Sequence, residues 1–472
     1  MTSKNLKKVF IITLIVYAAC VALFYFSSIE QLHFKASKGN IAMPEADAIT
    51  DEIISGRAVS QSFINEAEYI NEIDFVFTKF YRDANGLMTI FLYDGNTVLT
   101  RRVIKLEDIP EQSRVSLTFE NPLTGLKGKT LTINIYSTAK ANHGVAAMMR
   151  KDVSGSYITV GNSRIKGTLC FSLSGVDVNP FGQYYWYYAG IVGLLLAALL
   201  FVSYRNYLNG KNNYLVIAIA AMYRYEFLIS QLVIRDFKSK YKRSILGVFW
   251  SFLNPLLTMT VQFLVFSTFF RANTQNYPVY LLSGVVCFSF FNECTTMCLS
   301  SISGNARLIT KVYIPKYIFP LARTISSAIN LGISLIPLLL ACLVLGVALK
   351  PQALLFFYFL LCLIVFSLGV GLFLASLMVF FRDIQFLWTV ITQTWMYATP
   401  IFYPAEIIPE KYRFIVRFNP LYHFIGNART CLINGMSPEP KAFLFCFLFA
   451  ALSLGIGTYT LKKTQDKFAL YL

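Results

Sequence analysis

Eight long apolar runs alternate with polar segments along the chain. A bilayer hydrocarbon core of about 30 Å requires roughly 20 apolar residues in a helix, and each run has about that length. The runs lie at 9–29, 184–204, 244–270, 272–292, 324–349, 351–381, 384–405 and 442–461. This pattern predicts a polytopic α-helical membrane protein with eight transmembrane helices.

The polar segment between the first two runs predicts a different fold. Leu131, Ile133 and Ile135 alternate with polar residues and share one face of a strand. Turn signals such as Asn85-Gly86 and Asp94-Gly95 separate the apolar stretches. The predicted strands are 73–81, 87–93, 97–104, 114–119, 130–137, 155–161 and 168–173. Short strands at this spacing favour an inserted antiparallel β-sandwich domain.

These patterns divide the chain into five parts. The predicted parts are an N-terminal transmembrane anchor at 1–29, a β-sandwich domain at 30–183, a second transmembrane helix at 184–204, a linker with an amphipathic interface helix at 205–243, and a core of six transmembrane helices at 244–472. A basic start followed by an apolar run also describes a cleaved signal peptide. The length of the first run favours an uncleaved anchor.

The distribution of charge indicates how the chain is threaded. The chain has 472 residues, of which 14% are charged, and a net charge of +17. Residues 28–183 contain 16 basic and 17 acidic side chains, so the positive excess belongs to the apolar remainder. Basic residues beside membrane spans are typical of cytoplasmic loops and do not indicate a nucleic-acid partner. Threading the spans on this rule predicts that both termini are cytoplasmic and that the β domain lies outside.

The chain shows no nucleotide-binding, catalytic or metal-binding motif. Residues 125–130 read GLKGKT, but a phosphate-binding loop also requires glycine at position 123, which is Leu123. The nine cysteines are scattered, and Cys294 and Cys298 lie in a span without histidine, so packing is favoured over metal binding. We therefore expect neither catalytic residues nor a cofactor on this chain.

A basic amphipathic helix is predicted before the third apolar run, at 224–243. The helix has an apolar face and a basic face. The apolar face contains Phe227, Ile234, Phe237 and Tyr241, and the basic face contains Arg235, Lys238 and Lys242. Such a helix is expected to lie along the inner leaflet, with its cations near acidic headgroups.

Five ordered blocks carry a resemblance to a known family. They are RDFKSKYKRSILGVFWSFLNPL at 235–256, NARLITKVYIPK at 305–316, FRDI at 381–384, WMYATPIFYP at 395–404 and NPL at 419–421. Together they resemble the ABC-2-type polysaccharide export permeases, the transmembrane subunits of O-antigen and teichoic-acid exporters. The resemblance covers about residues 222–472 and leaves the first two spans and the β domain as an addition.

The resemblance implies partners as well as a fold. It implies a multi-pass protein of the bacterial cytoplasmic membrane, a homodimer of permeases, two copies of a separate ATPase that holds ATP and Mg²⁺, and a lipid-linked glycan as cargo. The segment at 305–316 looks like the short helix that touches the ATPase. The residues expected to couple to the ATPase are Arg307, Lys311, Tyr313, Pro315 and Lys316, and those expected in the interface helix near the lipid phosphate are Arg235, Asp236, Lys238, Tyr241 and Lys242.

Aromatic residues and one acid in the spans are candidates for the glycan pathway. The candidates are Trp250, Glu293, Trp388, Trp395, Tyr397 and Tyr403. Flat aromatic faces suit sugar rings, although most aromatic residues in spans face lipid or the core. Glu293 is an isolated carboxylate in a predicted span, so it should face a polar cavity or a partner. The prolines and glycines of 404–440 predict short re-entrant helices on the outer side.

Two alternative functions remain open from the residues alone. A membrane glycosyltransferase would need outer-loop carboxylates near a span, and only Glu406, Glu410 and Glu439 are available. The other alternative is a non-transporting envelope scaffold with a glycan-binding outer domain. An exporter should co-purify with an ATPase, whereas neither alternative should.

Overall fold

The computed structural model describes residues 3–37, 39–80, 82–109, 111–153, 155–210, 214–242, 245–270, 276–312 and 314–471. The chain divides into two compact units. The membrane unit comprises Met1–Gln31 and Trp186–Leu472, and the β unit comprises Leu32–Tyr185. The predicted β domain, 30–183, differs from the β unit by two residues at each end.

Fifteen α-helices are present among the described residues. They are α1 (Ser3–His33), α2 (Pro180–Gln183), α3 (Tyr185–Leu208), α4 (Tyr214–Arg224), α5 (Glu226–Tyr241), α6 (Phe249–Phe270), α7 (Tyr277–Leu299), α8 (Ala306–Lys311), α9 (Ile318–Val344), α10 (Phe356–Phe380), α11 (Ile384–Ala398), α12 (Arg413–Arg417), α13 (Pro420–Leu432), α14 (Pro440–Thr464) and α15 (Phe468–Tyr471).

Seven helices of the described chain are long and apolar enough to cross a membrane, and they correspond to seven of the eight predicted spans. The predicted span at 384–405 is different, because α11 contains only 15 residues. A helix of that length measures about 22 Å, which is shorter than the hydrocarbon core. Pro400 and Pro404 follow it closely, and proline cannot donate the backbone hydrogen bond that a continuing helix requires.

Helices α10 and α14 approach one another closely through glycine. A Cβ atom placed on Gly457 would lie 2.2 Å from the carbonyl oxygen of Gly369. A Cβ atom on Gly369 would in turn lie 2.3 Å from the carbonyl carbon of Ser453. Lipid and apolar side chains are equally hydrophobic, so membrane helices associate through such close packing of small residues.

The described residues of the β unit form twelve strands. They are β1 (Phe34–Ala36), β2 (Ala48–Ile49), β3 (Val59–Ile64), β4 (Tyr69–Thr78), β5 (Leu87–Asp94), β6 (Thr97–Lys105), β7 (Ser113–Thr124), β8 (Thr130–Ser137), β9 (Ala146–Lys151), β10 (Tyr157–Val160), β11 (Ser163–Leu169) and β12 (Phe171–Val178).

The strands pair in the order β1-β12-β4-β9-β11-β10-β3-β8-β5-β6, with β2 on β9 and β7 on β4, and every pairing is antiparallel. Strand β9 joins the layer around β4 to the layer around β8, and both layers contribute to one buried cluster. Phe75, Ile90 and Ile133 belong to that cluster. The predicted antiparallel sandwich is thus present, as a curved sheet whose two layers are continuous through β9.

The predicted and observed strands differ in two ways. The predicted strand 168–173 spans two strands, because β11 ends at Leu169 and β12 begins at Phe171. Strands β1, β2, β3 and β9 match no predicted strand, and β9, AAMMRK, contains none of the β-branched residues that favour a strand.

Cys170 lies between β11 and β12. Burial raises the pKa of its thiol to about 11, and the nearby charge of Asp47 acts in the same direction.

Adding one methyl group at the α10–α14 crossing tests this packing. We expect Gly457→Ala to lower the yield of folded protein and its Tm in detergent, because overpacking of a tight contact costs about 1–3 kcal/mol. Gly455→Ala is the matched control, since a Cβ atom at Gly455 meets no heavy atom within 4 Å. Equal melting temperatures for the two variants would contradict the close crossing.

Candidate functional site: a charged junction between helix ends

Polar and charged side chains from α5, α7 and α9 and from the turn before α8 meet around one cleft. The cleft has a volume of about 640 Å³. We call its ionic and amide residues the charged junction; they are Arg235, Asp236, Lys240, Glu293, Asn305 and Arg323. The junction includes Arg235, Asp236 and Glu293, which the sequence had assigned to two different sets.

Asp236 is the buried centre of the charged junction. It is 5% exposed and lies on α5. Its Oδ2 atom lies 3.0 Å from Nη1 of Arg323 on α9, and its Oδ1 atom lies 3.1 Å from Nη2 of Arg235. Arg235 also donates from Nη1 to Oδ1 of Asn305, at 3.0 Å, in the turn before α8. One carboxylate therefore links α5 to α9 directly and to the start of α8 through Arg235.

A second network extends from the junction to α6. Lys240 Nζ lies 2.8 Å from Glu293 Oε1, which also accepts a hydrogen bond from Asn330 Nδ2 at 2.7 Å. Tyr241 donates to Oδ1 of Asn330 and contacts the hydroxyl of Ser251 on α6. The expected partner of Glu293 is thus Lys240, together with Asn330. The Glu293 side chain is 30% exposed and lines the cleft.

Helix α8 presents its basic residues outward. Arg307 and Lys311 are exposed and lie four residues apart, on one side of the helix. Leu308 and Ile309 pack on the opposite side, against a buried cluster that α5 and the start of α9 share. Ile314, 5% exposed, belongs to the same cluster. A force applied to α8 would therefore reach α5 and α9 through buried contacts.

The remaining residues predicted to couple to the ATPase follow this helix in the chain. Pro315 and Lys316 are half-buried just before α9. Tyr313 lies outside the described residues. The structure thus brings four of the five residues close together along 307–316, and their contact with an ATPase stays a prediction.

The interface helix has a buried face that the sequence analysis missed. The predicted apolar face is only partly open: Phe227 is 76% and Ile234 is 42% exposed, whereas Phe237 and Tyr241 are half-buried. The buried face contains Ile229, Leu232, Val233 and Asp236. Phe227 and Ile234 remain available for lipid, while Tyr241 is engaged with Asn330 of α9. Of the predicted basic residues, Lys238 and Lys242 are exposed, whereas Arg235 is engaged with Asp236.

The predicted pathway residues differ in their surroundings. Trp388 is 8% exposed and donates to Thr295 Oγ1, so it belongs to the helix core. Trp395 is half-buried and donates from Nε1 to Oδ1 of Asn419 at 2.9 Å. Tyr403 donates to the carbonyl of Tyr397. The side chains of two candidates are exposed: Tyr397 is 56% and Trp250 is 45% exposed. A pathway role for these residues stays a prediction, because exposure in the membrane unit is also the ordinary state of a lipid-facing side chain.

Sequence reasoning missed an arginine that organises the proline-rich segment. Arg429, on α13, is 7% exposed. Its guanidinium donates to the carbonyls of Pro400, Ile401 and Tyr280 at 2.7–3.0 Å, and it lies 3.5 Å from the ring centroid of Tyr280. These bonds satisfy backbone carbonyls that a broken helix leaves open. The short helices expected at 404–440 are α12 and α13, and their outer position stays a prediction.

Arg323 was also missed as a functional residue, although a signal was present. The apolar run had been placed at 324–349, but the helix begins at Ile318 and includes Arg323. A charge inside a span requires a partner. The sequence does not identify that partner, because Asp236 lies on α5, far from Arg323 along the chain.

Comparison with known proteins finds a family model and relatives that match about half of this chain. Residues 228–433 match the family model described as ABC-2 type transporter. The O-antigen export system permease protein RfbA of Klebsiella pneumoniae is 29% identical over 257 residues, which cover 53% of this chain and 98% of the relative. The protein of that name from Myxococcus xanthus is 28% identical, over 52% of this chain and 96% of the relative. The polysialic acid transport protein KpsM of Escherichia coli is 22% identical, over 51% and 95%.

Removing the charge of Asp236 tests whether its ion pairs hold α5 against α9 and the start of α8. We expect Asp236→Asn to lower the free energy of unfolding by up to about 3 kcal/mol, because it leaves Arg323 without its buried counter-charge while Arg235 remains partly solvated. The measurement is thermal unfolding in detergent, with the exposed Asp466→Asn as control.

A double variant separates charge pairing from general damage. Asp236→Asn combined with Arg323→Gln should recover part of the lost stability, because neither side chain is then an unpaired charge. A double variant that is less stable than the sum of its single variants would contradict the ion pair as the cause.

Proposed function

We propose that the chain is the membrane subunit of an exporter for a lipid-linked polysaccharide, because residues 228–433 match the ABC-2 type transporter family. It is a multi-pass inner-membrane protein, and a separate ATPase subunit performs the hydrolysis that drives transport. The polysaccharide cargo is proposed because relatives matched over almost their whole length carry O-antigen export and polysialic acid transport in their names.

The coupling proposal rests on how α8 packs against α5 and α9. Arg307 and Lys311 point away from the protein, whereas the other side of α8 is anchored on α5 and α9. Exposed cations of this kind can pair with carboxylates on an ATPase surface. Closure of the ATPase on ATP would displace α8, and the Asp236 network would pass that displacement to α5 and α9. In this proposal, the packing of α5 on α9 differs between the closed and the open state of the transport path.

The proposal includes an arrangement in the membrane. Two copies of this chain assemble with two ATPase subunits, both termini are cytoplasmic, and the β unit lies outside. The basic residues near α5 and α8 support this orientation through the positive-inside rule. Lys238 and Lys242 are exposed on α5, and we propose that they contact the phosphates of the lipid carrier as it reaches the gap between the two copies.

Charge reversal on α8 tests the coupling directly. We expect Arg307→Glu combined with Lys311→Glu to abolish co-purification of the ATPase and ATP hydrolysis by the purified complex, since two attractive contacts become repulsive. Lys463→Glu combined with Lys467→Glu is the matched control, because it makes the same charge change on exposed residues outside α8. Normal ATPase association with the α8 variant would refute α8 as the coupling element.

Neutralising Glu293 tests whether transport depends on its charge. We expect Glu293→Gln to retain most of the export, because Asn330 can still donate to an amide oxygen and a partly exposed ion pair contributes only about 0.2–1 kcal/mol. Surface polysaccharide is measured at matched expression. Loss of export with normal ATPase association would show that the Glu293 carboxylate acts in transport itself.

A further inference from the structure

The β unit, Leu32–Tyr185, lies outside the residues that match the ABC-2 family, 228–433. Strands β6, β5, β8, β3, β10 and β11 lie side by side in it. Their inward residues form the core, and the residues that alternate with these point away from it. We call the set of outward residues of these six strands the outer face. Six strands spaced about 4.8 Å apart extend it over about 24 Å.

An aromatic patch occupies one half of the outer face. The ring centroid of Phe91 lies 5.8 Å from that of Tyr93 and 5.7 Å from that of Tyr136, whose ring is nearly perpendicular to it. None of the three is buried, and Tyr136 is 44% exposed. The core does not need these rings, since Ile90 and Ile135 fill the inward positions beside them. A cluster of partly exposed rings on a sheet surface is typical of a binding site.

Hydroxyl and amide side chains continue the face beyond the patch. Asn134 lies opposite Phe91, and Ser60 lies opposite Asn134 on the next strand. Thr159 lies opposite Ser60. Beside this row, the hydroxyls of Ser62 and Thr132 are 2.9 Å apart. The row from Phe91 to Thr159 thus crosses four strands with short polar groups that can both donate and accept hydrogen bonds.

The charge of the outer face has one sign. Its basic residues are Arg101, Lys105, Arg164 and Lys166, all of them exposed. The guanidinium of Arg164 lies 4.2 Å from the ring centroid of Tyr157, and Arg101 lies opposite Phe91. Among the described outward residues of these strands there is no aspartate or glutamate. The complement of this surface is therefore a molecule that carries negative charge.

We propose that the outer face binds a polysaccharide that carries carboxylate or phosphate groups. Sugar rings offer C–H faces for Phe91, Tyr93 and Tyr136, hydroxyl groups for the polar row, and anionic substituents for the basic residues. The length of the face suits an extended oligosaccharide segment rather than a single sugar. This inference rests on the proposed export of a polysaccharide, and it assigns to the β unit the task of holding the glycan.

The test measures binding of labelled polygalacturonate oligomers to the full-length chain in detergent. We expect Phe91→Ala combined with Tyr136→Ala to weaken binding at least about tenfold. Phe34→Ala is the matched control, because Phe34 is an exposed aromatic residue on β1, outside the outer face. Arg101→Gln combined with Arg164→Gln should weaken binding and remove most of its dependence on salt concentration.

Each result decides the proposal in one direction. Tenfold weaker binding of the aromatic variant, with unchanged binding of Phe34→Ala and unchanged Tm, supports it. Equal affinity of the aromatic variant and the native chain overturns it, as does equal binding of neutral dextran oligomers of the same length. Co-purification of the ATPase with the native chain is measured in parallel, so a native chain that retains the ATPase but does not bind polygalacturonate refutes this inference and leaves the exporter proposal standing.

Discussion

The membrane unit depends on one buried carboxylate. Asp236 holds α5 against α9 through Arg323 and holds the start of α8 through Arg235 and Asn305. A buried ion pair contributes little net stability compared with apolar packing, but its directionality selects one arrangement of the helices that share it. An apolar contact at this place would let α5 slide on α9. The ion pair instead links the three helix ends to one another, as the proposed exporter, driven from outside its own chain, requires.

The membrane unit also provides hydrogen-bond donors for the carbonyl groups of an irregular backbone segment. The broken helix after α11 exposes carbonyls at Pro400 and Ile401, and Arg429 donates to both from the interior of the protein. Tyr277 and Tyr280 donate to the carbonyls of Phe402 and Tyr403 nearby. Side-chain donors here replace the backbone donors that a continuous helix would supply. A short helix and a turn can therefore stand where the apolar run alone predicts a full span.

The β unit follows different physics from the membrane unit. Its apolar residues alternate with polar ones because one side of each strand meets the core and the other side meets solvent. Partly exposed aromatic residues on that second side therefore need a reason other than packing. In the membrane unit, by contrast, an exposed apolar side chain such as Leu194 or Val265 is the ordinary state of a lipid-facing surface. The same residue type thus indicates a binding site in one unit and a membrane boundary in the other.

The sequence alone determined the class of this protein, because the length of an apolar run, the alternation of a strand such as 130–137 and the charge around α8 are local properties that any folded state must accommodate. It also indicated a resemblance to the ABC-2-type permeases, through five short blocks that follow one another in order. Only the tertiary structure decided which face of α5 is buried, that Arg323 and Asp236 form a pair, that Arg429 closes a broken helix, and that Phe91, Tyr136 and Arg101 share one surface. These facts depend on residues brought together from distant parts of the chain, and the periodicity of a single segment carries no information about its neighbours in space.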